Sequence, residues 1–172
     1  MIVGSTKEDL TQEKRVALTP EAAKNIIGLG LKVIIEKDYA THIGIKDKQF
    51  EEFGVIIKNS KEEVLNSAKL IMKVNCPSDE EISKLKQNNF LIGMFNPSKN
   101  QKKIKDMLNK KVKLFSLELL PRITRAQSMD VLSSQSNLAG YRAVVDCVAE
   151  FEKAVPMMMT AAGTVPAAKV LV

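Results

Sequence analysis

The chain has 172 residues, of which 45% are hydrophobic, 27% charged and 5% aromatic. That suits about one globular domain with a real core, and it excludes a disordered tail, a collagen-like repeat and a disulfide-stapled miniprotein. The 26 basic and 20 acidic residues leave a formal charge of +6. That excess is local: Lys99, Lys102, Lys103, Lys105, Lys110, Lys111 and Lys113 are opposed by Asp106 alone. Without interleaved arginines or aromatics, such a run reads as a solvated helix face and not as a nucleic-acid interface.

Cys76 and Cys147 form no spaced cluster and read as small core residues of a reducing compartment. The first residues show no basic stretch followed by a long apolar one, so no signal peptide is expected. The longest uncharged run covers 154–168 and contains Pro156, Gly163 and Pro166. A membrane span needs about 20 mostly apolar residues, so no span is expected and the chain reads as soluble.

In chain order, 2–5 predicts a strand, and Thr19-Pro20 opens a helix with Thr as N-cap and Pro at the first helical position, ending at Gly28 or Gly30. A strand at 31–36, a loop at 39–45 and a short helix at 47–53 follow. Then come a strand at 55–57, a helix at 61–68, a strand at 70–74 and a helix opened by Ser78 with acids in its first turn. A strand at 90–95, the lysine-rich helix at 98–110 and a sixth strand at 112–117 complete the alternation. Short apolar strands alternating with helices imply an α/β fold: a mostly parallel six-stranded sheet with helices on both faces. Such sheets bind ligands beyond the carboxyl ends of their strands.

After Leu120 the texture changes. The four arginines are Arg15, Arg122, Arg125 and Arg142, and three fall within this stretch, in a chain that otherwise uses lysine. Arginine's planar fork binds carboxylates, phosphates and amides as lysine cannot. Thr124-x-x-Gln127 has capping-box spacing. From 129 to 155 apolar residues recur at threes and fours, predicting a long helix that Pro156 ends. Lys169-Val-Leu-Val reads as a buried parallel strand. The sequence has no G-x-G-x-x-G, so the chain reads as cut short where a phosphate loop would follow.

Four stretches invite comparison with a family: Arg15-Val-Ala-Leu-Thr-Pro, Leu70-Ile-Met-Lys-Val-Asn-Cys-Pro, the long run Pro121-Arg-Ile-Thr-Arg-Ala-Gln-Ser-Met-Asp-Val-Leu-Ser-Ser-Gln-Ser-Asn-Leu-Ala-Gly-Tyr-Arg-Ala-Val, and Thr160-Ala-Ala-Gly-Thr-Val-Pro-Ala-Ala-Lys-Val-Leu-Val. Together they resemble the N-terminal half of the alpha subunit of proton-translocating NAD(P) transhydrogenases, in one register over the whole chain. The first two are shared with alanine dehydrogenases. The resemblance implies a Rossmann-like (flavodoxin-like) domain at 1–126, a linking helix at 127–156 and the truncated start of a second Rossmann domain at 157–172. It implies NAD(H) in the cleft between the two domains and NADP(H) on a partner component, with hydride passing directly between the nicotinamides.

The partners implied are the remainder of the alpha subunit, an NADP(H)-binding beta subunit and a membrane component. A homodimer of the NAD(H) component is also implied, cytoplasmic and peripheral to the inner face of the membrane. The family's nicotinamide-end residues match Arg122, Gln127 and Asp130, with Ile123, Thr124, Arg125, Ser128, Met129 and Ser133 around them. The residue types suit the task. Hydride transfer needs no protein acid or base, and a carboxamide offers one acceptor and one NH2 donor that an arginine and an aspartate can read. Arg122 and Asp130 equally suit a local ion pair, Gln127 a helix cap and Ser133 a packed helix position.

In alanine dehydrogenases the residues matching Arg15 and Lys73 bind the substrate carboxylate, and a histidine carries the proton. Here the sole histidine, His42, lies in an early loop, and Leu91-Ile-Gly-Met-Phe-Asn-Pro has none. Arg15 and Lys73 therefore read as structural groups and His42 as an exposed loop residue. A fragment of an amino-acid dehydrogenase and a non-catalytic residual domain are the rival readings.

Overall fold

A computed structural model describes residues 1–171. The chain divides into two units, Met1–Met129 and Asp130–Val172. In the first, six strands alternate with five helices: β1 (Ile2–Ser5), α1 (Pro20–Gly28), β2 (Lys32–Glu36), α2 (Asp47–Glu51), β3 (Ile56–Lys58), α3 (Lys61–Ser67), β4 (Leu70–Met72), α4 (Asp79–Lys84), β5 (Phe90–Gly93), α5 (Gln101–Asn109) and β6 (Lys113–Ser116). The helix starts follow local chemistry. The Thr19 hydroxyl accepts from the Ala22 N–H ahead of Pro20, and Ser60 accepts from Glu63. Ser78 and Glu81 form a reciprocal capping box at α4. The lysine run occupies α5 and its flanks, where Lys110 also donates to the Ile82 and Ser83 carbonyls at the end of α4.

All six strands are parallel, in the order β3-β2-β1-β4-β5-β6. Of the doubly wound orders, this is the Rossmann one; a flavodoxin-like sheet would run 2-1-3-4-5. Register sorts the side chains onto two faces. Ile34, Gly4, Ile71, Leu91 and Leu114 form a row on one face, where Val64, Leu65, Ile82, Leu85 and Met107 of α3 to α5 bury it. Gly4 lies directly against α3's end: a Cβ there would come within 2.6 Å of the Ala68 Cβ. On the opposite face Val3, Val33 and Ile35 lie under Ala23 of α1 and Phe50 of α2.

A buried hydroxyl chain ties the loop of residues 6–19 to this frame. Tyr39 accepts from the Ala17 and Leu18 N–H groups at 3.0 and 3.2 Å. Its own O–H then donates to Ser5 Oγ at 2.7 Å, and Ser5 donates to the Met72 carbonyl at 2.8 Å. Burial pushes the Tyr39 phenol up to about 12, so it stays protonated and the polarity of the chain is fixed.

The second unit holds α6 (Val131–Glu150) and an antiparallel pair, β7 (Met158–Thr160) and β8 (Gly163–Val165). Three expectations change here. The helix ends at Glu150, short of Pro156; none of its residues is buried, and packing, more than propensity, prolongs a helix. The opening stretch of this region, 157–165, forms the β7–β8 hairpin. Residues 169–171 form no strand: Val170 and Leu171 are 73% and 99% exposed, because no described strand lies parallel to them. Val172, the last residue of that expected strand, lies outside the described residues. Cys147 is exposed and is not the core residue expected, whereas Cys76, in the first unit, is half-buried and packs against the core.

Replacing Tyr39 by Phe should destabilise the first unit by about 1–3 kcal/mol, because two buried N–H groups and Ser5 lose their partner. Urea unfolding of the variant against the parent measures this.

Candidate functional site

The sheet order reverses between β1 and β4, so the loops leaving their carboxyl ends part there and open a crevice. A cavity of about 200 Å³ occupies that point, lined by Glu8, Glu13, Lys73, Cys76, Ser78 and Glu81 among others. At its floor lies a buried charge cluster. The Lys73 ammonium, only 3% exposed, sits 2.7 Å from Glu81 Oε1 and 3.5 Å from Glu8 Oε2, carboxylates that are themselves 5% and 6% exposed. Lys73 also donates to Thr6 Oγ1, and Thr6 in turn donates to Glu81. The second Glu8 oxygen accepts from the Val74 N–H at 2.7 Å, and Lys61 approaches Glu81 at 3.3 Å from the rim.

The two carboxylates respond oppositely to this setting. Burial pushes the Glu8 carboxyl above its usual range, against the weaker pull of Lys73 and the Val74 N–H. Burial also acts on Glu81, but the Lys73 ammonium, its hydrogen bond, the Ser78 N–H and Lys61 together hold that carboxyl below the usual range. Nearby, Arg15 is gripped by Glu13 through both edges of its fork, Nε to Oε1 at 2.9 Å and Nη2 to Oε2 at 2.7 Å. The two cations that in alanine dehydrogenases would meet a substrate carboxylate are therefore each held by carboxylates of this chain. His42 is exposed and donates from Nε2 to the Lys14 carbonyl.

Of the expected nicotinamide-end residues, those from Arg122 to Met129 follow β6, the outermost strand of the sheet. After β6 the chain makes two 3-10 turns, Leu117–Leu119 and Thr124–Met129. Glu118 accepts from the Asn96 N–H, tying this segment to the end of β5. Arg122, Ile123, Thr124, Arg125, Gln127, Ser128 and Met129 are all exposed, and Ala126, 6% exposed, is their buried anchor. Thr124 and Gln127 thus stand in a 3-10 turn and do not cap the long helix. Asp130 does that: it accepts from the Ser133 N–H at 3.0 Å and from the Ser133 hydroxyl at 2.6 Å. Ser133 is exposed, not packed. Arg122 through Met129 belong to the first unit, and Asp130 and Ser133 to the second. Arg142 pairs with Asp146 on the surface of α6.

The buried pairing of Glu8 and Glu81 with Lys73 was not visible in the sequence. Its available signals were a lone lysine closing an apolar strand, and a glutamate at the third position of the α4 capping box.

A parallel sheet in this order, with its crevice at the reversal of strand order, defines a Rossmann-like α/β domain. The chain belongs to the alanine dehydrogenase/PNT N-terminal domain family, whose model matches residues 4–139. It is 41% identical over its whole length to the first portion of the NAD(P) transhydrogenase alpha subunit of Rhodospirillum rubrum, covering 46% of that protein. The same protein of Rickettsia prowazekii is equally similar, at 41% identity and 46% coverage. Transhydrogenase from Sinorhizobium meliloti superposes with a TM-score of 0.91 at 43% identity, over 98% of this chain and 50% of that one. An L-alanine dehydrogenase shares the fold, with a TM-score of 0.76 at 22% identity over 85% of this chain and 40% of that one. The chain spans about half the length of these transhydrogenase relatives. Among the described residues, no helix is long and apolar enough to cross a membrane.

The opposite shifts of the two glutamates give opposite pH signatures. Glu8, raised in the folded state, contributes stability at low pH that is lost as pH rises through its folded value. Glu8→Gln should therefore gain on the parent as pH goes from about 4 to 7. Glu81, lowered, contributes stability at neutral pH that is lost on acidification. Glu81→Gln should cost about 3 kcal/mol at pH 7 by leaving the Lys73 ammonium only Glu8, the more distant partner at 3.5 Å, and less in acid. Denaturant unfolding across that pH range separates the two.

Proposed function

We propose that this chain is the N-terminal portion of the NAD(H)-binding component of a proton-translocating NAD(P) transhydrogenase. In this reading it helps position the nicotinamide for direct hydride transfer between NADH and NADP+, coupled to proton movement across the membrane. The observation that carries the reading is the exposed polar segment 122–129 at the carboxyl end of β6, in a chain whose relatives bear the transhydrogenase name. Arg122 offers donors to the carboxamide oxygen and Asp130 an acceptor to its NH2, while Gln127 bridges to the nucleotide on the NADP(H)-binding component. The resemblance adds Ile123, Thr124, Arg125, Ser128, Met129 and Ser133 to this set.

The residues present fit the nicotinamide end of NAD(H) and not its pyrophosphate, since the sequence has no G-x-G-x-x-G to cradle phosphates. When bound, the dinucleotide supplies the hydride chemistry. The task left to the protein is to hold the ring in a near-attack geometry. The stretch 127–156, helical over Val131–Glu150, then serves as the link and 157–172 as the start of the second Rossmann domain. The phosphate loop comes from the remainder of the alpha polypeptide and NADP(H) from the beta subunit, with a membrane component beneath. The NAD(H) component works as a homodimer on the cytoplasmic side, peripheral to the membrane, and this chain by itself is inactive. The carboxylates already gripping Arg15 and Lys73 speak against an amino-acid dehydrogenase.

Alone, the chain should bind NADH more weakly than about 10 µM, roughly −7 kcal/mol, by calorimetry. Assembled with the second half of a transhydrogenase alpha polypeptide and the NADP(H)-binding component, Arg122→Ala and Asp130→Ala should slow hydride transfer by about 100-fold, the scale of a 1 Å misplacement, and weaken NADH binding less. Gln127→Asn should slow transfer with NADH affinity nearly unchanged. Stopped-flow transhydrogenation measures all three; parental rates throughout would make the segment structural only.

A further inference from the structure

β5 and β6 stay in register as far as Gly93 and Ser116. Beyond that rung, among the described residues, no backbone hydrogen bond joins them, and side chains of the outgoing segment take over. The Ser116 hydroxyl accepts from the Phe95 N–H at 3.4 Å, and the Glu118 carboxylate accepts from the Asn96 N–H. Among the described residues, the Glu118 bond is the sole side-chain hydrogen bond from 117–129 to the rest of the first unit. What Glu118 holds on to is rigid. Phe95 is fully buried, and a Cβ on Gly93 would come within 2.4 Å of the Lys73 carbonyl oxygen and 2.6 Å of the Phe95 ring. Asn96 is left-handed, at φ 46°, a conformation asparagine adopts more readily than most residues. Its carbonyl accepts from the Lys99 and Asn100 N–H groups at 2.9 and 3.0 Å, and the Asn100 amide donates to the Phe95 carbonyl at 2.8 Å.

From Glu118 the constraint travels along a stiff stretch of chain. Leu120 lies at φ −60°, ψ 135°, the extended conformation that a following proline imposes, and Pro121 fixes its own φ. The Ile123 N–H returns to the Pro121 carbonyl and the Ala126 N–H to the Ile123 carbonyl, each at 2.9 Å. The stretch contains no glycine. A shift of the backbone at Glu118 therefore carries Arg122 with it, and Gln127 follows the buried Ala126. Stability alone does not account for the Glu118 bond. The second oxygen, Oε2, is buried with no hydrogen-bond partner among the described residues, and an unsatisfied buried acceptor costs at least as much as an ordinary hydrogen bond contributes.

We propose that Glu118 is a positioning residue for hydride transfer: its hold on the Asn96 N–H sets where the Arg122 and Gln127 side chains stand against the nicotinamide. Ala126 keeps the segment on the domain, and Glu118 fixes its place relative to the end of β5. This role rests on the nicotinamide reading of 122–129 and adds to it the residue that orients the segment.

The test uses the full chain assembled with the second half of a transhydrogenase alpha polypeptide and the NADP(H)-binding component. Glu118→Ala removes the acceptor for Asn96, Glu118→Asp leaves it one methylene short, and Glu118→Gln keeps it. The first two variants should melt with the parent and bind NADH as the parent does, yet transfer hydride about tenfold more slowly, part of the roughly 100-fold that a 1 Å misplacement costs. Amide exchange over 122–129 should quicken in both. Glu118→Gln should restore the parental rate and the parental exchange. Parental transfer in Glu118→Ala and Glu118→Asp, while Arg122→Ala is slow, overturns the positioning role and leaves the nicotinamide reading standing. So does a Glu118→Gln as slow as Glu118→Ala, or a loss of NADH affinity as large as the loss in rate, since Glu118 is then structural. Parental transfer in Arg122→Ala as well overturns the nicotinamide reading and the positioning role with it.

Discussion

Six strands running the same way fix the rest of this fold. Parallel strands cannot be joined by tight turns, so each crossover crosses a face of the sheet, and every strand delivers its next loop to the same edge. The loops after β1, β4 and β6 therefore gather at one edge although their residues are far apart in sequence. The same geometry demands that both faces be covered. On the α3–α5 side the crossovers meet that demand, and Gly4 allows α3's end to lie closer to β1 than any side chain would permit. On the α1–α2 side they meet it only as far as β4.

Where strand order reverses, the fold has to manage buried charge. Lys73 leaves the end of β4 into a space with almost no solvent, where an unpaired ammonium would cost several kcal/mol. Glu81, itself a capping residue of α4, provides the close partner. Glu8 brings a second buried carboxylate, farther from the ammonium, on which burial outweighs the pull of Lys73. The outcome is a crevice floor already occupied by internal ion pairs, with the residue 6–19 loop pinned to it by Tyr39 at one point and Glu8 at another. That leaves little cationic surface there for a small carboxylate and shifts the reading of function toward the β6 end.

What the sequence made legible was local. Thr19-Pro20 and Ser78-x-x-Glu81 announce their helices because capping is settled within one turn, and the alternation of short apolar runs with helices determined a parallel sheet. What it hid was relational. Lys73 meets Glu8 only because β1 and β4 are neighbours, a pairing that spans 65 positions. Thr124 and Gln127 have capping-box spacing, yet Asp130 caps the long helix, since a 3-10 turn can hold the same spacing. The apolar 169–171 stretch looked like a strand, but a strand requires a neighbour to pair with, and composition cannot provide one. Likewise, the threes-and-fours of α6 mark a stripe without naming what it meets.

The candidate site and the bare face share one element. β6 is the outermost strand, its Phe115 lies open on the uncovered face, and the segment leaving it carries Arg122 and Gln127. That segment is held by a single buried residue, Ala126, and by the tie from Glu118 to Asn96. Side chains that orient a reacting ring must be fixed to within about 0.5 Å by the packing around them, and one small anchor on an edge strand does not provide that. Under the nicotinamide reading, whatever packs on β6 also sets how rigidly Arg122 and Gln127 are presented, so the order of that segment and the packing of the edge strand are coupled.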